Sequence, residues 1–247
     1  GIKDILIIST PHDLPNYMRL LGSGSDIGIK LTYAEQLKPE GLAQAFIIAE
    51  DFIGSDDVCM ILGDNIFHGN GLDELLLRTV EKVKKSKKAT VFGYSVKDPN
   101  RYGVLNFNDK KQITSIDEKP IKAMSNYAVI GLYFYPNSVI KISKGITPSK
   151  RGELEITSVN NFYLNCNQLN VELLGSGYTW LDTGTPDSLL EASNFIQTIE
   201  NRQGKKVACI EEIAFDKGYI NFTELNYLAK NLFNTEYGQY LSNLKAK

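Results

Sequence analysis

Two periods of apolar residues alternate along the first half of this chain. Ile5-Leu6-Ile7-Ile8-Ser9 is a short unbroken apolar run, and Ile29, Leu31 and Tyr33 recur at every second position up to Ala34-Glu35-Gln36, so both segments read as strands. Between them, Leu14 to Leu21 carries helical spacing and stops at Gly22. Leu42, Ala45, Ala49 and Phe52 predict a second helix, the run from Val58 to Leu62 a buried strand, and Leu72, Leu76, Val80 and Val83 a further helix. That helix closes on Lys84-Lys85-Ser86-Lys87-Lys88. Lysines in a last turn complement the negative end of the helix dipole, so this basic run reads as a solvated face. Strand and helix in alternation are the pattern of βαβ crossovers in a largely parallel sheet.

The texture changes after the strand Ala89 to Tyr94. Val104 to Phe107, the turn Asn108-Asp109 and Gln112 to Ile116 predict an antiparallel hairpin, which makes the sheet mixed. Ala128 to Tyr135 reads as a fully buried strand, Gly152 to Leu164 as a helix, and Val171 to Trp180 as strands leading to Asp182. Thr185 is placed as the N-cap of the next helix, with Pro186 at its first position and Leu189, Ala192, Ile196 and Ile199 along one face. Beyond Arg202 the pattern is short helices, among them Thr223 to Phe233 and Tyr237 to Leu244. The expected architecture is α/β and Rossmann-like: a mixed, mostly parallel sheet flanked by helices, with C-terminal helices added. Residues 1–201 form the α/β domain in this reading, and 202–247 a helical appendage of the same domain.

Composition narrows the partners more than the fold. A chain of 247 residues with 43% hydrophobic and 23% charged content has material for a sizeable core. Its 27 Lys and Arg against 29 Asp and Glu leave a net charge of −2, which argues against nucleic acid or an anionic membrane surface as the main partner. No apolar stretch reaches the roughly 18 residues of a membrane span, and the first residues lack the order of a signal peptide. Cys59, Cys166 and Cys209 lie far apart in dissimilar contexts, so neither a disulfide framework nor a metal motif is readable and a cytoplasmic location is expected. Gly1-Ile2-Lys3-Asp4 runs straight into a strand without an initiating Met, so the natural start is expected upstream.

The chemistry gathers at two aspartates. Asp64 ends Val58-Cys59-Met60-Ile61-Leu62-Gly63, and Asp182 ends Tyr178-Thr179-Trp180-Leu181. Carboxyl ends of buried strands converge on the ligand crevice in α/β proteins, so the two could share one Mg²⁺ and support metal-assisted phosphate chemistry. Each alone is equally compatible with capping a turn or serving a helix N-terminus. In Asp117-Glu118-Lys119-Pro120 the Pro is expected to hold Lys119 extended and aim its ammonium into a cleft, the alternative being an exposed turn. Glu35-Gln36 ends a strand and Gly41 opens a helix, a place where a base edge or phosphate could be read, or a simple connection. Tyr102-Gly103 offers an aromatic ledge beside close backbone approach, or half-buried packing. Gly22-Ser23-Gly24-Ser25 follows a helix and precedes a strand, the wrong order for a phosphate cradle. The sequence around His12 and His68 shows no nucleophile-elbow motif with a Ser or Cys, so a hydrolytic triad has little support.

Read in order, Ile5–Thr10, Tyr33–Gln36, Gly41–Ala45, Leu62–Phe67, Arg101–Val104, Glu118–Pro120, Gly131–Tyr135, Arg151–Ser158, Trp180–Thr185 and Tyr237–Leu241 resemble the nucleotide-sugar pyrophosphorylase family, and within it the glucose-1-phosphate thymidylyltransferases of the dTDP-rhamnose pathway. The resemblance implies the nucleotide-diphospho-sugar transferase fold and formation of dTDP-glucose and pyrophosphate from dTTP and glucose 1-phosphate, for dTDP-rhamnose and cell-surface polysaccharide. It also implies Mg²⁺ on Asp64 and Asp182, thymine recognition by Gln36 and Gly41, and Lys119 on the sugar phosphate. Asp64, Asp182 and Lys119 would be the catalytic set, with Asp64 also reaching the nucleotide. Tyr102, Gly103, Glu118, Lys119 and Val129 would line the sugar, and the assembly would be a homotetramer. The family pattern opens with a strand, a Gly-Gly-x-Gly-Thr-Arg-Leu loop and a Lys, and the present sequence starts after them. The first βα unit, on the order of 30 residues, is therefore expected to be missing from it. A non-catalytic nucleotide-sugar binding or regulatory protein is the alternative, and a metal-dependent glycosyltransferase ranks last because no Asp-x-Asp pair occurs.

Overall fold

The computed structural model describes residues 1–244, in two compact units: Gly1–Leu37 with Asn194 onward, and Lys38–Ser193. In the first unit, β1 (Asp4–Ser9), α1 (Leu14–Leu21) and β2 (Lys30–Glu35) follow the apolar pattern closely. The two strands pair in parallel from Asp4 opposite Lys30 to Ser9 opposite Glu35, as a two-stranded sheet of their own.

The second unit opens with two short helices, α2 (Gln44–Ile48) and α3 (Glu50–Ile53), where one continuous helix is expected. Ala49 lies between them, its N–H shared between the Ala45 and Ile47 carbonyls. Then come β3 (Val58–Ile61), β4 (Asn65–Gly69), α4 (Leu72–Ser86) and β5 (Ala89–Ser95). The hairpin β6 (Gly103–Phe107) and β7 (Ile113–Glu118) precedes the long strand β8 (Tyr127–Tyr135). α5 (Val139–Gly145), α6 (Ile156–Asn165), β9 (Leu169–Leu174) and β10 (Tyr178–Asp182) complete it, and α7 (Pro186–Gln203) continues into the first unit. Helix α6 starts later than its apolar pattern, because Gly152 takes φ +79° and Ser149 N–H bonds to the Glu153 carbonyl, closing a loop before Ile156.

The main sheet runs β7-β6-β8-β5-β9, with β3 also on β8, while β4 and β10 form a separate antiparallel ribbon. The expectation of a mixed sheet holds, but "mostly parallel" needs correction. Among the described residues only β1 with β2 and β5 with β9 pair in parallel, and the other pairings are antiparallel. The reason is β8, which runs against β3, β5 and β6 and lies among strands that themselves share one direction.

β8 is buried on both faces, and its alternation splits the core. Ile130, Leu132 and Phe134 cluster with Val83 of α4, Phe92 of β5 and Trp180 of β10. Tyr135 turns the other way, its ring 5.2 Å from Phe46 of α2 and 5.7 Å from Tyr163 of α6, with its hydroxyl donating to Asn160 Oδ1 at 2.5 Å. Period-two alternation thus lets one strand serve two layers.

One edge of β8 is forked: β3 pairs with residues 132–135 and β6 with 128–129. On the other edge the register slips, so that Val91 to Gly93 spans Tyr133 to Val129. Gly131 sits in the fork. Its carbonyl accepts the Leu62 N–H at 2.9 Å, and its own N–H donates to the side chain of Asn65, Oδ1 at 3.1 Å. The same oxygen accepts the Trp180 indole N–H at 2.7 Å. A Cβ on residue 131 would run into Asn65 Oδ1 and Leu62, so only glycine admits this plug.

The C-terminal part of the first unit holds α8 (Ile210–Asp216), α9 (Phe222–Asn231) and α10 (Glu236–Ser242), around Cys209, Ala214, Ile220, Leu225, Ala229 and Leu241. Asn221 and Glu224 close a capping box on α9. Residues 245–247, the end of the segment 202–247, lie outside the described residues. Among the described residues no helix is long and apolar enough to cross a membrane.

Replacing Asn65 by Ala leaves the Gly131 N–H and the Trp180 indole N–H unpaired, a loss of about 1–3 kcal/mol for each buried donor. Thermal unfolding of Asn65→Ala should show a Tm lower by roughly 5–15 °C for a domain of this size; a Tm equal to wild type would show that the fork needs no side-chain plug.

Candidate active site

The ribbon β4–β10 begins where the two aspartates lie. Asn65 is register partner of Asp182, and Thr183 donates both its N–H and its hydroxyl to the Asp64 carbonyl, at 2.8 and 2.9 Å. Asp64 and Asp182, 118 positions apart by their numbers, therefore meet at one junction. A Cβ built on Gly184 would lie 3.4 Å from Asp64 Oδ2 and 3.3 Å from Asp182 Oδ1, so both carboxylates border the same gap.

The remaining oxygens are tied back. Asp64 Oδ1 accepts from Asn65 Nδ2 at 2.6 Å. Asp182 Oδ2 accepts from the Tyr102 hydroxyl at 2.6 Å and from Arg101 at 3.4 Å, while its Oδ1 accepts the Gly184 N–H at 2.9 Å. Burial disfavours the ionised Asp182, but Tyr102, the Gly184 amide, Arg101 and Ser188 outweigh it and hold the carboxyl below its usual range. Burial, with Asp182 beside it, pushes the Tyr102 phenol up, so this group remains a donor at neutral pH.

A second group lies across three strands. Gly103 on β6 is register partner of Glu118 on β7 and of Val129 on β8, so the three form one row of the sheet. Glu118 accepts from the Thr157 hydroxyl at 2.5 Å and from Arg151 at 3.2 Å. Gly103 lets the backbone come close to them, since a Cβ there would stand 3.1 Å from Thr157 Oγ1, tighter than an ordinary contact, and 3.7 Å from Glu118 Oε2. A cavity of about 480 Å³ opens alongside, lined by Glu118, Lys119, Arg151, Glu155, Thr157 and Asn161.

Tyr102 joins the two groups. Its carbonyl accepts the Lys119 N–H at 3.0 Å, its hydroxyl holds Asp182, and its ring stands edge-on to Trp180 at 5.1 Å. Lys119 departs from expectation: it takes φ +41° instead of the extended conformation that a following Pro favours. The Lys119 N–H, held by Tyr102 as the β6–β7 ladder ends, imposes this turn against a local preference worth about 1–2 kcal/mol. The side chain is exposed.

Gln36 and Gly41 fall in different units. Gln36 follows β2, its N–H bonded to the Ser9 carbonyl at 2.8 Å. Gly41 does not itself open a helix, since α2 starts at Gln44. It takes φ +104° and packs so tightly on the Leu154 backbone that a Cβ would overlap it, a close approach open to glycine alone. Asn65, Arg101, Arg151, Thr157 and Gly184 carry no role in the sequence reading, although all five stand inside its diagnostic segments. Only their pairing across strands reveals what they touch.

As a donor set, two carboxylates without thiolate or imidazole suit a hard cation that keeps several waters and takes further oxygen from phosphate, which describes Mg²⁺. Among the described residues no three His, Cys, Asp or Glu converge, and such a cation needs only one or two carboxylates.

Residues 1–199 match the family model described as nucleotidyl transferase. The glucose-1-phosphate thymidylyltransferase of Neisseria meningitidis serogroup A is 49% identical over 247 residues, covering 100% of this chain and 85% of that protein. That of Mycolicibacterium smegmatis is 52% identical over 244 residues, 99% of this chain and 83% of that protein. A crystal structure from Bacillus anthracis, provisionally named a glucose-1-phosphate thymidylyltransferase and holding a sucrose, is 39% identical with a TM-score of 0.69, over 78% of this chain and 76% of that one. On the family match and these full-length identities, the chain belongs to the nucleotidyl transferase family, among its glucose-1-phosphate thymidylyltransferases.

Proposed function

We propose that the chain serves nucleotidylyl transfer: a phosphate oxygen of glucose 1-phosphate attacks the α-phosphorus of dTTP, the bond from that phosphorus to the β-phosphate oxygen breaks, and dTDP-glucose and pyrophosphate leave. The electron pair of the broken bond departs with pyrophosphate, and the attacking oxygen is already anionic, so no proton need be removed. The observation that carries this reading is the pair of carboxylate oxygens facing one gap at Gly184. Relatives that share about half their residues over the whole chain bear an enzyme's name, which favours catalysis over a binding-only role.

In this reading Asp64 and Asp182 hold Mg²⁺, which when bound neutralises charge on phosphate oxygens. Lys119 supplies a compact positive charge to the sugar phosphate and offsets repulsion between two anions. Glu118, braced by Thr157 and Arg151, accepts hydrogen bonds from sugar hydroxyls, while Gly103, Val129 and Tyr102 shape the space beside it. Gln36 offers a donor and an acceptor to the thymine imide edge, and Gly41 brings backbone close. Catalysis is then positioning plus charge neutralisation. Supply of dTDP-glucose to dTDP-rhamnose and cell-surface polysaccharide, a cytoplasmic homotetramer and the absence of nucleic-acid or membrane partners complete the proposal.

Replacing Asp182 by Asn should lower kcat for pyrophosphate release from dTTP and glucose 1-phosphate by on the order of 10²–10³-fold with the fold retained. Turnover near wild type at saturating Mg²⁺ would remove Asp182 from the site. The folded-state pKa of Asp182 is depressed, so its contribution to stability is present above the unfolded value of about 3.9 and is lost as pH falls through the lower folded value. Tm measured from pH 6 down to pH 3 should therefore fall less steeply in Asp182→Asn; an acid limb identical to wild type would contradict the depressed pKa.

Glu118→Gln should raise KM for glucose 1-phosphate by about tenfold, corresponding to one charge-assisted hydrogen bond, and leave KM for dTTP unchanged. Equal effects on both substrates would place Glu118 outside the sugar site.

A further inference from the structure

Most glycines at a tight site are there for their backbone, and Gly184 is not. It is absent from the residues with positive φ, it is exposed, and an L side chain meets no conformational barrier in its place. What a side chain would meet is the carboxylate pair and nothing else within 4 Å: Asp182 Oδ1 at 3.3 Å and Asp64 Oδ2 at 3.4 Å. Asn65 takes Asp64 Oδ1 and Tyr102 with Arg101 takes Asp182 Oδ2, so the two oxygens nearest a side chain at 184 are the other member of each carboxylate. Asp182 Oδ1 accepts the Gly184 N–H, and a carboxylate oxygen has a further lone pair to offer a cation.

From this geometry we propose that Gly184 is a positioning residue that acts by absence. Its missing side chain keeps the space between Asp64 Oδ2 and Asp182 Oδ1 open to a divalent cation or a water bound to it. A methyl group here occupies the ground from which one ion would reach both oxygens, and it displaces the ion without touching sheet, core or nucleotide contacts. This inference rests on the two-carboxylate reading of the site and adds to it the residue that controls access.

The test uses Mn²⁺ as probe ion, titrated into the full chain with free ion read by electron paramagnetic resonance. Wild type, Gly184→Ala, Gly184→Val and Asp182→Asn are compared, with Tm and metal-free affinity for dTDP-glucose measured on each. Gly184→Ala should weaken Mn²⁺ binding by about 10–100-fold, as changes beside metal ligands do, and Gly184→Val further. Tm and dTDP-glucose affinity should stay at the wild-type level in both. Wild-type Mn²⁺ affinity in Gly184→Ala and Gly184→Val, with binding lost in Asp182→Asn, would overturn the role of Gly184 and leave the carboxylate pair standing. Wild-type affinity in Asp182→Asn would overturn the pair and this proposal together. A fall in Tm that parallels the loss of Mn²⁺ binding would make Gly184 a structural residue and overturn the proposal as well.

Discussion

The amide of Asn65 is the constraint on which the site depends. Where β3 and β6 part along one edge of β8, the backbone N–H of Gly131 has to find an acceptor, because a buried amide left unpaired costs free energy comparable to a lost hydrogen bond. Asn65 supplies the acceptor, spends its second lone pair on the Trp180 indole, and turns its NH₂ group to Asp64. One side chain thereby fixes the start of β4, the anchor of β10 and the orientation of the first carboxylate. The requirement for glycine at 131 and the pairing of Asp64 with Asp182 follow from the same plug.

Two carboxylates brought to one gap repel each other, and the surroundings answer with donors. Asn65 bonds Asp64 on one side, and Tyr102, the Gly184 amide, Arg101 and Ser188 favour the ionised form of Asp182 on the other, while Asp64 Oδ2 and Asp182 Oδ1 border the gap. Such an arrangement is organised before any ligand arrives, which is the condition for electrostatic stabilisation to cost no reorganisation during reaction. Tyr102 carries this organisation to the sugar row, since its hydroxyl and carbonyl bond to Asp182 and Lys119. A displacement of β6 would therefore be felt by the carboxylates and by Glu118 together.

Burial also explains why the sheet reads differently from its strand pattern. A strand as apolar as β8 announces that both faces are covered, and they are, by α4 and β10 on one side and by α2 and α6 on the other. Nothing in that apolar run states its direction. β8 enters between strands of the opposite sense, and a sequence with largely co-directional strands becomes a sheet of largely antiparallel pairings.

Local pattern alone determined the elements whose reasons are local. Helix α1 and the hairpin β6–β7 follow apolar period and turn chemistry, and Thr185 caps α7 as its hydroxyl and the following Pro require. Elements with weak periodicity escaped: β4 reads Asn-Ile-Phe-His-Gly and α5 is only seven residues long. At the site, the ordered segments marked both aspartates, Gly103, Glu118 and Lys119 as candidates, and the resemblance added Val129, but neither told what holds them. The register that sets Gly103 beside Glu118 and Val129, the left-handed turn at Lys119, and the roles of Asn65, Thr157 and Gly184 were decided by tertiary structure. The physical reason is that each depends on hydrogen bonds between strands far apart in the chain, where the partner of a donor is chosen by the fold and not by its neighbours in sequence.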